Sequence, residues 1–144
     1  MAIAQTMCTS FKVALLDGEM DFSSNTSQTF KIALFTSDAS LDADTTAYAV
    51  TNEASGTGYT AGGATLTIAT NPTSTSGTAY LTFSTVTWTT SSITARGALI
   101  YRSSGTGNNA VAVLDFGADK TTLGSTFTVT FPTADNNTAI IRIA

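Results

Sequence analysis

The chain has 144 residues, 42% hydrophobic and only 11% charged, with a net charge of −4 and no histidine. Charged residues fall to less than half the usual share of about 25%, and Ser and Thr take their place at about 45 positions. This balance excludes a long exposed helix or coiled coil, which needs Ala, Glu, Lys and Leu in bulk, and a disordered chain, which needs low hydrophobicity with high net charge.

At this length one domain spanning 1–144 can bury a real core. The opening residues, Met1 to Cys8, lack the positive charge and apolar stretch of a signal peptide. No apolar run approaches the roughly 20 residues that cross a bilayer. The first element is a short helix: Ser10 reads as its N-cap, Phe11, Ala14 and Leu15 share one face, and Asp17-Gly18 stops it. About two turns of helix are marginal alone in water, so this arm, residues 1–18, is expected to pack on its own sheet or on a neighbour.

Beyond a polar stretch from Ser23 to Gln28 the pattern becomes that of strands. Phe30 to Phe35 is a compact apolar run. Leu66 and Ile68, Leu81 and Phe83, Val86 and Trp88, and Phe127, Val129 and Phe131 alternate with Thr and Ser. Ile93 to Tyr101 and Ala110 to Phe116 carry apolar residues on both faces, and Ile140, Ile141 and Ile143 close the chain. Period-two alternation turns one set of side chains inward, and threonine suits the outward set because its branched Cβ fits the pleat. Turns are expected at Gly56-Thr57-Gly58, Gly62-Gly63, Asn71-Pro72 and Pro132, with a hairpin connection over 103–109. The predicted fold is all-β, a β-sandwich or jelly roll of seven to eight antiparallel strands with one short N-terminal helix. A closed barrel is the second choice. Strands apolar on both faces need an outer cover, which the 7–18 helix and the 38–63 segment can supply; the alternative is a subunit interface.

Chemistry finds little to work with. The six basic residues, Lys12, Lys31, Arg96, Arg102, Lys120 and Arg142, are scattered, which argues against nucleic acid and against an anionic membrane surface. Cys8, the single cysteine, can form no intramolecular disulfide; in its apolar setting it reads as an inert buried thiol, consistent with a reducing cytosol. Asp115 is the one acid inside an apolar run, and it lacks the facing carboxylate that a glycosidase needs. Asp38, Asp42 and Asp44 lie close enough to suggest a hard cation, but the spacing is not that of an EF-hand, and Asp42 serves equally as a turn residue. No nucleophile elbow, P-loop or general base is present, so no enzyme, cofactor or metal site is assigned. Trp88 alternates in register with Val86 and should point inward, whereas Tyr59, between glycine-rich turns, is the best candidate for an exposed ring. A glycan-binding adhesin would require such rings.

Several runs carry a resemblance: Lys31 to Ser37, Leu41 to Tyr48, Asn52-Glu53, Gly56 to Gly63, Thr94 to Tyr101, Ala110 to Gly117, and Phe131 to Asp135 with Ile140 to Ala144. From about residue 11 onward the chain resembles small all-β virion proteins of tailed bacteriophages, among them jelly-roll capsid decoration (cement) proteins. The resemblance implies a protein made in the host cytoplasm and bound to the capsid exterior, partnered by the major capsid protein and by copies of itself, as a homotrimer. A tail, baseplate or fibre component is the alternative within the same particle. The N-terminal segment, Met1 to Leu16, would then reach a neighbouring subunit.

Overall fold

The alternating runs fold as antiparallel strands, and the class is all-β and sandwich-like as the sequence predicts. The computed structural model describes residues 2–105 and 107–144. In chain order its elements are β1 (Thr6–Met7), α1 (Thr9–Leu16), β2 (Phe30–Phe35), β3 (Ala64–Thr65), β4 (Ile68–Thr75), β5 (Thr78–Phe83), β6 (Val86–Ser91), β7 (Thr94–Arg102), β8 (Ala110–Thr121), β9 (Ser125–Val129) and β10 (Ile141–Ile143). Among the described residues there are thus ten strands instead of seven or eight, because the alternation does not register the two-residue pairings β1 and β3. They form a five-stranded sheet in the order β1-β8-β7-β2-β3, a three-stranded sheet β10-β5-β4 and a two-stranded sheet β6-β9.

The five-stranded sheet is apolar on both faces. Register places Lys31, Ala33 and Phe35 of β2 opposite Tyr101, Leu99 and Gly97 of β7, so these share one face; Phe30, Ile32 and Leu34 share the other. The second face packs into the sandwich: Phe22 stacks on Phe30 at 4.3 Å and meets Phe11 and Phe83. The first face is covered from within the chain. Tyr48 packs on Phe35 and Tyr101, and Ile3 sits over Gly97, where an added Cβ would come within 2.9 Å of its Cγ2.

Four local expectations change. Ser10 is not the N-cap: Cys8 is, with no side-chain cap, and Ser10 lies in the first turn with its Oγ buried and unpartnered. The Cys8 N–H donates to the Val111 carbonyl at 2.9 Å, so pairing with β8 decides where the helix begins. At its other end Gly18, at φ +75°, completes a Schellman motif, Glu19 N–H to Ala14 O at 2.8 Å and Gly18 N–H to Leu15 O at 3.2 Å. The N-terminal arm, expected only to pack on a sheet or a neighbour, joins the sheet as a strand: Thr6 and Met7 pair with Val113 and Ala112, and Ala4 N–H reaches Leu41 O.

Asn71-Pro72 is no turn. It lies inside β4, the edge of its sheet, where proline's missing N–H costs no ladder bond and the register shifts between Thr70 and Thr73. The reversal falls at Ser76-Gly77, with φ of 51° and 82°, a two-residue hairpin loop that needs both residues left-handed. Finally, β8 runs on to Thr121 by bulging: two steps along β7, Ala95 to Gly97, match five along β8, Lys120 back to Asp115.

Candidate functional site

The densest polar cluster centres on Glu53, to which the chemistry of the sequence assigns no role among its ten acids, although Asn52-Glu53 is one of the runs that carry the resemblance. Asn52, at φ 62°, turns the chain so that Glu53 N–H meets Val50 O, and the carboxylate then faces inward. Tyr48 donates to its Oε2 at 2.6 Å; Tyr59 and the Gly62 N–H donate to Oε1, each at 2.7 Å. Tyr101 donates to the Gly62 carbonyl at 2.7 Å, and its ring stacks on Tyr48 at 4.7 Å. The Tyr59 oxygen also accepts from the Leu34 N–H at 2.8 Å. This N–H points to the side of β2 where β3 pairs only with Lys31 and Ile32. A phenol therefore completes the ladder where no strand reaches.

Electrostatics makes the cluster a clamp. Burial first, and the hydrogen bond to Glu53 second, push the Tyr48 and Tyr59 hydroxyls well above their usual value. Burial, then the Glu53 charge, raises Tyr101 as well. The phenols stay protonated donors, which holds the 48–63 segment against the sheet; none is available as a base near neutral pH. Gly63 tightens the closure. At φ +75°, its missing Cβ would lie 1.8 Å from the Ile32 carbonyl oxygen. Sequence spacing had no means to find this cluster, since tyrosines five residues before and six after a glutamate match no periodic template.

The residues that the sequence singles out lie apart from it. Asp115 accepts the Gly117 N–H at 2.9 Å and pairs with Arg96 at 3.2 Å, and these contacts hold its carboxyl below the usual range. Asp42 accepts the Asp44 N–H at 2.9 Å in a local turn, and Asp38 offers its carbonyl to Asn52. Among the described residues no three metal-ligating side chains converge. Cys8 is buried, and burial foremost, with Asp42 adding, pushes its thiol up to about 11. Trp88 is 6% exposed, against Phe127 and Tyr59. Tyr59 is not the exposed ring expected, because its hydroxyl is drawn inward by Glu53 and Leu34. Every tryptophan and tyrosine is buried or half-buried, which leaves no ring standing free as a stacking platform.

What the surface offers instead is apolar relief. Val13, Leu16, Val50, Leu123 and Ile143 stand out by half or more of their area. An apolar cleft of about 290 Å³ runs between α1 and β5, walled by Phe11, Leu15, Phe22, Leu81 and Ile141. A second groove of about 380 Å³ separates β8 from β9. No helix among the described residues is long and apolar enough to cross a membrane. The chain matches no protein-family model, no curated protein and no solved structure.

Proposed function

We propose that this chain is a bacteriophage capsid decoration protein, which binds the outer shell and bridges neighbouring capsid subunits. The observation that carries the reading is the resemblance of its sequence runs, from Lys31 to Ala144, to small all-β virion proteins of tailed phages. The partners are the major capsid protein and other copies of the chain. The function is binding without chemistry: each bridge raises the cost of parting subunits against the pressure of packaged DNA.

Two physical features support it. The outward positions of β6 and β9 are Thr87, Thr89, Thr126 and Thr128, short side chains that lose little conformational entropy when a neighbour covers them. The one dense acid–phenol cluster is internally satisfied and holds backbone, so it asks for no substrate.

The test is copy number in purified particles, by quantitative mass spectrometry against the major capsid protein. A ratio near one, or a simple fraction giving hundreds of copies, is expected. A handful of copies moves the protein to the tail or fibres, and complete absence removes it from the particle. Particles lacking the protein should also fail sooner under heat or osmotic shock; equal resistance refutes the bridging role.

A further inference from the structure

The groove between β8 and β9 is lined by Phe116 and Lys120 on one side and by every residue from Thr126 to Thr130 on the other. Successive side chains of a strand point to opposite faces, so a groove touched by five in a row runs along the strand's edge. β9 pairs with β6 and, among the described residues, with no backbone on its other side. Its outer N–H and C=O groups are free, and an added strand is the partner that satisfies them all.

The other edges are protected or short. β1, β3 and β10 are two or three residues long, β4 carries Pro72 and two register shifts, and β6 is met by the 56–58 segment, where Ser92 N–H donates to Thr57 O at 2.9 Å and Gly58 backs onto the Thr89 and Thr90 carbonyls. Ser125 to Thr130 has neither proline nor glycine and no charge. The one cation in the groove, Lys120, stands on the β8 wall beside Asp119. Nothing on this edge repels an identical edge, although the chain as a whole carries −4.

We propose that β9 is a self-association edge: two copies pair their β9 strands antiparallel about a two-fold axis, joining two β6–β9 sheets into one of four strands. With Phe127 at the centre, Thr126 of one copy lies opposite Thr128 of the other, a favourable cross-strand pair. The Phe127 side chains stay on the inner face, where Phe127 already meets Phe116 at 6.2 Å. The same residue type thus serves both copies, as an isologous contact requires. A two-fold pair departs from the trimer that the family resemblance implies, and it does not depend on the decoration reading.

The experiment uses the free full-length chain in sedimentation equilibrium. A dimer is expected, and Thr126→Lys/Thr128→Lys should weaken it at least tenfold while leaving the far-UV circular dichroism spectrum of the folded chain unchanged, because both side chains are exposed. If the lysines disturb folding, Thr126→Cys/Thr128→Cys decides: mild oxidation should give a covalent dimer, with buried Cys8 not competing. A monomer at all concentrations, a trimer, or a dimer indifferent to the lysines and uncrosslinked by the cysteines overturns the proposal.

Discussion

Two sheet edges in this molecule meet the same physical problem and answer it differently. The outer edge of β2 is closed: Ala54 donates to Leu34 O, Leu66 donates to Phe30 O, Asn52 O accepts from Thr36, and the Tyr59 hydroxyl takes the Leu34 N–H. Among the described residues the outer edge of β9 is bare. A buried backbone N–H without a partner costs about 1–3 kcal/mol, so an edge inside the molecule must be closed by whatever the chain can bring. An edge beside solvent bears no such cost, and leaving it open gives a surface that recognises strands. The difference teaches that the Glu53 cluster is an architectural device and that the recognition surface should be sought at β9.

The strongest way to break the closed edge is Gly63→Ala. A Cβ 1.8 Å from the Ile32 oxygen, at φ +75°, should cost about 3–4 kcal/mol, read as a fall in the urea midpoint. Next comes Glu53→Gln. The amide can accept from only one phenol and removes the charge-assisted bonds, so a loss of about 2–3 kcal/mol is expected in the same titration. Little change would mean that the clamp contributes less than its geometry implies.

Tyr59→Phe sharpens the comparison, because it unmakes both the bond to Glu53 and the cap on Leu34 N–H; about 2 kcal/mol should be lost. The same phenols set the alkaline limit. Their hydroxyl pKa values are raised in the folded state, above the value of about 10 in the unfolded chain. The unfolded state therefore releases protons first, and stability present below about pH 10 declines as pH rises beyond it. Denaturation midpoints measured from pH 8 upward should fall above pH 10, and less steeply in Tyr48→Phe and Tyr59→Phe.

The smallest effect is expected at Gly77→Ala. This glycine has φ +82° but nothing within 4 Å of a Cβ, so only the backbone preference is lost, about 1 kcal/mol. A loss as large as that at Gly63 would show that conformation alone, and not the close approach to Ile32, governs both sites.

Much of the fold was legible because hydrophobic alternation is local. The run Phe30 to Phe35 is β2 to the residue, and Trp88 points inward in register with Val86 as the period requires. The need for a cover over the two-sided strands was also legible, since β7 and the first half of β8 bury apolar residues on both faces. Failures occurred where a distant backbone overrode a local signal. Ser10 lost the cap position to a bond between Cys8 and Val111, and Asn71-Pro72 became an edge bulge because β5 pairs past it. Tyr59 followed the same logic, drawn inward by a glutamate and by an amide 25 residues away.

The sequence by itself determined the all-β class, the strand periods and the neutral threonine surface, because each depends on residues within a few positions of one another. Only the tertiary structure decided which edges are closed and which remain open. That decision depends on hydrogen-bond partners far apart in the chain, such as Tyr59 with Leu34 and Tyr101 with Gly62, and no local spacing encodes their meeting.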